Sequence, residues 1–538
     1  MASAAPGAES PISFELQTLP FRLETDERPD TPHMPSTMLG GVAVFDYNKD
    51  GRPDIFFANG ANIATLEKDS SKYSNRLFRN DGKGKFTDVT RQAGLAGVGY
   101  DNGVAVGDYD NDGYPDLFVA GVHGRTLYHN NGDGTFTDVT KKAGLDGWND
   151  PQYGPLWSVA ATWVDVNNDG LLDLFVVNYL QWSYDRDHYC GFKGRYDYCI
   201  PDFFKGSPCQ LYLNKGDGTF EDVSEQWGIR QLVGKGMGVG VADFNLDGKP
   251  DLFVTNDNYY NFLLQNTGTK FEEMALQQGV ALVESGNFVS GMGVDCRDID
   301  NDGYPDIVTV ALENQTFPIW HNEAGSGFRE ITIPTGLRSL ALHMSGFGVG
   351  MFDFDNDGWK DLFVTRGHVL RVVSEPGMEI AQHNTVFHNL GKSGKWQAFT
   401  AEAGLTAAPT RRHRGCAFGD LDGDGRIDVV ATALLEAPEI WMNRSEPSGH
   451  WLQVALVGKK SNRDGIGAMV KVVTRAGAQF NHMTTNGGYA SSSHGPVHFG
   501  LGEEKRVNTL EIRWPSGIVQ TLRDIAGDQL ISVEEKAT

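Results

Sequence analysis

A nine-residue acidic pattern, D-x-[DN]-x-D-G-x-x-D, recurs seven times along the chain, at 46–54, 108–116, 165–173, 243–251, 298–306, 353–361 and 420–428. Successive copies start 55 to 78 residues apart, so each marks one unit of a repeat architecture. The flanks are apolar runs rich in Val and Phe, such as VAVFD and DIFFA or VAVGD and DLFVA, and read as strands rather than helices. Asp-Gly clusters also make ordinary hairpin turns. A turn alone does not require oxygen-bearing side chains at four fixed offsets in every copy.

That spacing fits calcium, a hard cation that takes about six to eight oxygens at about 2.3–2.6 Å. Carboxylates at positions 1, 3 and 5 turn inward when the backbone curls round an ion, the carbonyl of position 7 joins them, and the Asp at position 9 closes the site. The glycine at position 6 allows the left-handed turn. The expected ligands are Asp46, Asn48, Asp50 and Asp54, then Asp108, Asp110, Asp112 and Asp116, then Asp165, Asn167, Asp169 and Asp173. The later loops supply Asp243, Asn245, Asp247 and Asp251, then Asp298, Asp300, Asp302 and Asp306, then Asp353, Asp355, Asp357 and Asp361, and finally Asp420, Asp422, Asp424 and Asp428. Up to seven Ca2+ sites are expected. The first half of the pattern matches an EF-hand loop, but position 12 holds Phe57, Val119, Val176, Val254, Thr309, Val364 or Ala431 in place of the closing Glu. The sequence therefore predicts compact calcium loops between strands.

A second signature follows the loops, as in LFRNDGKGKF (77–86), LYHNNGDGTF (127–136), LYLNKGDGTF (211–220), LLQNTGTKF (263–271), IWHNEAGSGF (319–328) and VFHNLGKSGKW (386–396). Each reads as strand, turn and strand. One repeat is then a four-stranded antiparallel unit, and seven of them predict an all-β fold, a seven-bladed β-propeller with calcium loops between strands. The seventh repeat stops one strand short at EIWMN (439–443), and PISFELQTLPF (11–21) is expected to supply the missing outer strand, which removes an exposed sheet edge. The expected boundaries are a disordered 1–10, a propeller over 11–447 and a β-sandwich-like domain over 448–538.

Composition narrows the partners. A net charge of −24 argues against nucleic acid, and no apolar run is long enough to span a membrane. The basic tetrad RRHR (411–414) reads as a contact for an anionic ligand. Of five cysteines, Cys190 and Cys199 form a candidate disulfide, while Cys296 and Cys416 lie in apolar stretches and read as buried thiols. The start, MASAAPGAESP, lacks the apolar stretch of a signal peptide. Because millimolar calcium outside cells fills such loops, the expectation is a removed signal and a secreted, periplasmic or cell-surface protein. The sequons at Asn314 and Asn443 are compatible with a eukaryotic secretory route.

After about residue 449 the repeats give way to short strands and three further motifs, SNRDGIGA (461–468), HFGLG (498–502) and WPSG (514–517). These motifs resemble the ASPIC/UnbV domain, and the preceding repeats resemble the FG-GAP, or VCBS, repeats of integrin-like propellers. From about 11 to 535 the chain is similar to bacterial-type members of the cartilage acidic protein 1 family. The resemblance implies a calcium-bearing propeller in an extracellular or periplasmic setting and a role in adhesion or interaction. It carries over the metal roles of the loops and no catalytic residues.

The strand starts converge at the face opposite the loops, and a ligand funnel is expected there. Tyr100, Asp101, Trp157, Lys235, Asn287 and His368 are the candidate ligand-binding residues, with His123, Asn256, Asp257, Glu313 and His383 nearby and the 180–209 insertion over the same mouth. Two readings follow. One is an extracellular calcium-binding protein for adhesion or for a carbohydrate or protein ligand. The other is a carbohydrate-active enzyme, a lyase or sugar dehydratase, with His343 or His413 as base and Arg414 or Arg366 holding a carboxylate. For His413 and Arg414, pairing with Glu313 or Asp101 in a structural network is the alternative to ligand contact.

Overall fold

Strand segments that are apolar on both faces can only be stable where neighbours cover both faces. Val42–Phe45, Tyr100–Gly107, Ser158–Val164, Gly236–Ala242, Val294–Arg297, Gly346–Phe352 and His413–Gly419 are such segments, buried along almost their whole length. In the computed structural model, which describes residues 9–28, 30–192, 194–373, 377–446 and 448–537, each is the inner strand of an antiparallel sheet. The fold is all-β. The expected disordered N-terminus falls largely on residues 1–8, and the 447/448 boundary on residue 447, outside the described residues.

Seven sheets of the repeat region share one order, inner strand, second strand, third strand and outer strand. The outer strands are short and half exposed, as in Phe220–Asp222, where Phe220 is buried and the next two residues are exposed. In the last sheet the outer strand is Phe14–Thr18, paired antiparallel with Glu439–Asn443. Each inner strand packs beside the inner strand of the next sheet, and His413–Gly419 packs beside Val42–Phe45.

The C-terminal residues form a three-stranded sheet, Val497–Gly502, His450–Val457 and Gln529–Glu534, and a four-stranded sheet, Ala478–His482, Met469–Val473, Arg506–Arg513 and Val519–Ala526. Their apolar faces share a cluster with the second and third repeat sheets, including Trp163, Leu174, Val470 and Trp514. One segment leaves this module entirely. Ser492–Ser493 pairs in parallel with Ala43 and Val44 of the first inner strand, and Gly488 exchanges backbone hydrogen bonds with Val294 of the fifth sheet (2.9 and 3.1 Å). Residues 488–494 thus run among the inner strands of the repeat sheets.

The expected axial funnel is therefore a packed core. From one side it receives Tyr489, and from the other the buried helix Pro35–Met38, and both join Trp157, Tyr179, Met237, Met292 and Phe347 in one apolar cluster.

Candidate metal loops and the face opposite them

All seven acidic loops have the same geometry. The amide of the position-6 glycine donates to the position-1 carboxylate at 2.7–2.9 Å in every copy. The amide of position 2 donates to the position-9 carboxylate at 2.8–3.2 Å. These bonds wind the loop tightly enough that position 4 also becomes left-handed, with φ near 57–63° at Lys49, Asn111, Asn168, Leu246, Asn301 and Asn356. Asparagine tolerates that conformation better than most residues, which accounts for its frequency there. The position-9 carboxylates are interior, with Asp54, Asp116, Asp173, Asp306, Asp361 and Asp428 at 0% exposure.

A set of residues without an assigned role in the sequence reading links the loops. The third strand of each sheet carries an asparagine: Asn80, Asn130, Asn214, Asn266, Asn322, Asn389 and Asn443. Its backbone amide donates to the position-9 Asp of its own loop at 2.7–2.9 Å. Its side-chain amide donates to the position-2 carbonyl of the preceding loop at 2.7–3.1 Å. The circuit returns on itself, because Asn80 reaches Leu421 of the last loop at 2.8 Å. The recurring Asn in RN, HN, LN, QN and MN was the available signal. Asn130→Ala should lose two donated bonds, to Tyr47 and Pro115, and one accepted from Gly132. We expect it to destabilise the protein by about 2–3 kcal/mol in urea melts. The same geometry closes the Asn443 sequon to glycosylation, since Asn443 is fully buried, whereas Asn314 is exposed.

The electrostatics fit a cation. Burial pushes the carboxyls of Asp54, Asp108 and Asp251 up to about 8, and those of Asp116 and Asp298 up to about 7, with neighbouring carboxylates adding to the effect. Oxygens of Asp108, Asp110 and Asp112, and of Asp298, Asp300 and Asp306, lie within 4.8 Å of one another. An all-oxygen set of this kind suits Ca2+, and the residues that would hold it are positions 1, 3, 5 and 9 of each loop.

On the opposite face, most of the candidate ligand residues have been drawn into the interior. Tyr100 is fully buried and donates to the Thr25 carbonyl at 3.0 Å. Trp157 is fully buried and donates to Asn102 at 3.1 Å. Asp101 pairs with buried Lys68 at 3.4 Å and accepts from Asn75 at 2.8 Å. His413 donates from Nδ1 to the Arg366 carbonyl at 2.8 Å and meets Glu439 at 3.0 Å. Arg414, at 0% exposure, donates to Thr37 and to the His413 carbonyl, and its guanidinium lies 3.8 Å from the Phe347 ring centre. The expected partners Glu313 and Asp101 are thus replaced by Glu439, backbone carbonyls and an aromatic face. Arg366 donates to Thr385 and Gln382. Burial and nearby Arg414 lower the imidazole of His368 to about 4. Of the four catalytic candidates only His343 is exposed, and these residues form no open acid–base cluster.

Lys235 and Asn287 remain accessible. Lys235 borders an open cavity of about 460 Å3 between the third and fourth sheets, lined by Gln152, Tyr153, Gln181, Lys205 and Tyr259. Gln181 and Lys205 come from the 180–209 insertion, where Cys190 and Cys199 form a disulfide. The insertion is pinned to the N-terminal segment by a hydrogen bond between His33 and Asp187 at 2.7 Å.

The FG-GAP-like repeat family matches residues 46–119, 108–176, 199–254, 243–309 and 298–364, more than half of the chain. The chain belongs to the FG-GAP-repeat family. Residues 458–538 of this FG-GAP protein match the ASPIC and UnbV family, so the repeats are followed by an ASPIC/UnbV domain. It is 24% identical to cartilage acidic protein 1 of Homo sapiens over 94% of this chain and 73% of that one. It is 26% identical to the Xenopus tropicalis protein of the same name over 63% of this chain, spanning about half (52%) of that relative. Among solved structures, this FG-GAP chain is similar to an Agrocybe aegerita lectin that recognises non-reducing terminal N-acetylglucosamine, with a TM-score of 0.40 and 16% identity over 74% of this chain and 87% of that one.

Proposed function

We propose that the seven repeat sheets are the blades of a closed, calcium-stabilised β-propeller over residues 11–447, and that this is an extracellular binding protein. Its ligand is an anionic carbohydrate held in the cavity between the third and fourth sheets. The observation that carries this reading is the composition of that cavity. In a chain of net charge −24 it is lined by two lysines, two tyrosines and two glutamines, and by no carboxylate. Tyrosine faces provide platforms for sugar rings, the lysines complement a uronate or sulfate, and the volume lies within the usual range for small-ligand sites. Asp202 holds Lys235 at 2.9 Å from an exposed position, and an incoming anion would compete for it.

Up to seven loops would hold Ca2+ on the opposite face, where the ion bridges carboxylates that burial otherwise forces towards neutrality. Export is supported by the disulfide, which persists in oxidising compartments, and by loops suited to millimolar calcium. The lyase or dehydratase reading loses its best residues, because His413, Arg414 and Arg366 are fixed in internal hydrogen bonds.

Titration of the calcium-loaded protein with oligogalacturonates and with neutral oligosaccharides of equal length tests the site. Binding should favour the uronates, and K205A/K235A should weaken it at least about tenfold, the loss of two charge-assisted contacts. The calcium-dependent melt should not change. Equal affinity for neutral chains, or an unaffected double variant, would reassign the cavity.

A further inference from the structure

Three of the seven acidic loops meet a histidine. His129, His321 and His388 stand one residue before the linking asparagines of the second, fifth and sixth sheets, on the strand that pairs with the end of the loop. His129 Nδ1 lies 3.3 Å from both Asp110 and Asp116. His321 Nδ1 lies 3.4 Å from Asp300 and 3.1 Å from Asp306. His388 Nε2 lies 3.3 Å from Asp355 and 3.8 Å from Asp357. In each case one nitrogen and two carboxylate oxygens fall within 4.8 Å of one another.

The histidines follow the loop chemistry. The three loops that meet one are those reading Asp at position 3 and Asn at position 4. The first, third and fourth loops have Asn48, Asn167 and Asn245 at position 3, and Arg79, Leu213 and Gln265 at the histidine position. The seventh has Asp422 with Met442, and there Arg444 occupies the carboxylate at 2.9 Å. A histidine present only to fill space on the strand would have no reason to track the charge at position 3.

An independent observation points into the same place. Asp355 is 7% exposed, yet its Oδ1 has no hydrogen-bond partner, and neither do His388 Nε2 or His129 Nδ1. Buried polar atoms without partners are rare because each costs the desolvation of the group. In the sixth loop the other Asp355 oxygen, Oδ2, stands 3.3 Å from His388 Nε2, and in the second loop His129 Nδ1 stands 3.3 Å from two carboxylates. Most of the nitrogen–oxygen separations, 3.1 to 3.4 Å, match the edge, about 3.3 Å, of a tetrahedron with bonds of about 2.0–2.1 Å.

We propose that the second, fifth and sixth loops, which accept Ca2+ like the others when no competitor is present, are mixed nitrogen–oxygen sites that prefer a borderline divalent cation of the zinc class, with His129, His321 and His388 as ligands. The other four loops keep the all-oxygen chemistry of calcium. Imidazole favours Zn2+ and its neighbours over Ca2+, whereas carboxylates alone do not. This rests on reading the acidic loops as metal sites.

The test uses the full chain, stripped with chelator and then held in excess Ca2+ so that the all-oxygen loops stay filled. Zn2+ or Co2+ is added, and bound metal is counted after gel filtration. Up to three equivalents should remain bound, and H129Q/H321Q/H388Q should retain none while its calcium-dependent melt persists. In the unmodified protein, Co2+ should shift the imidazole NMR signals of three of the 14 histidines, a readout independent of any variant. Equal retention by the triple variant, full displacement by calcium at equal concentration, or unshifted imidazoles would overturn the proposal. The broader reading fails separately, by loss of the calcium effect itself.

Discussion

Removing calcium should lower the melting temperature of the whole chain by on the order of 15 °C, and millimolar Ca2+ should restore it better than Mg2+. Ligand that binds only the folded state adds RT ln(1 + [L]/Kd) per site, about 2.7 kcal/mol at a hundredfold excess over Kd. For a chain this long each kcal/mol moves the midpoint by about a degree or somewhat more. The loops are not independent ornaments. Each position-9 Asp is buried beneath its loop, and without a cation burial holds carboxyls such as Asp54 and Asp251 towards the neutral form. Each of those carboxylates also accepts the amide of a linking asparagine, whose side chain reaches the neighbouring loop, so disorder at one site passes round the ring through Asn130 to Tyr47 or Asn80 to Leu421. The melt should therefore shift as one transition. Mg2+ should be the poorer substitute because it demands tight octahedral geometry at about 2.0–2.1 Å and gives up water reluctantly. Calorimetry in EDTA and in calcium measures this, and an identical midpoint in both would leave the loops as turns rather than metal sites.

What could be read from the sequence is local. The repeat was legible because the ligand spacing, the Asp-Gly turn and the flanking strands all lie within about fifteen residues, and strand and turn chemistry act over that distance. The Phe14–Thr18 edge strand was legible from the missing fourth strand of the last repeat. The ligand face was not, because its residues are decided by partners on other strands and other sheets, tens to hundreds of positions away. Arg414 is occupied by Thr37, 377 residues distant in sequence, and His413 by a glutamate two strands away in its own sheet. Charged residues at the start of an inner strand do not announce whether they face water or the N-terminal helix that covers them. The linking asparagines and the three histidines sat in motifs already singled out as strand and turn. Their role appears only when neighbouring sheets are placed side by side. The axial segment had a faint signal, since GGYASSSHG (487–495) has one large side chain between runs of small ones, which is what a narrow channel admits.

That segment supports the other large expected effect: Tyr489→Ala should destabilise the repeat sheets and the ASPIC/UnbV domain together. Tyr489 is fully buried, its hydroxyl donates to the Met38 carbonyl at 2.6 Å, and its ring meets Phe347 edge-on at 5.3 Å. Truncating a buried aromatic costs about 3–5 kcal/mol, and here it also strands a buried carbonyl. Its neighbours bind the ring directly. Val104 donates to the Ala490 carbonyl at 3.1 Å, Val106 to Ser492 Oγ at 3.1 Å and Phe418 to Ser493 Oγ at 2.9 Å. Those amides belong to inner strands of the second and last sheets, and with the segment withdrawn they would face an apolar cavity unpaired. The domain is thus an internal support rather than an appendage, and cutting the chain near residue 447 should give a repeat region that fails to reach its native melt even in calcium. Tyr489→Phe separates the contributions, because it removes one hydrogen bond and keeps the ring, and should cost only about 1 kcal/mol. Calorimetry together with hydrogen exchange followed by mass spectrometry reports on both parts, through peptides around Trp157 in the repeat sheets and Trp514 in the C-terminal module. A single transition displaced downward in Tyr489→Ala is the expected result. Two separate transitions, with that of the repeat sheets unmoved, would show that the axis does not depend on the segment that fills it.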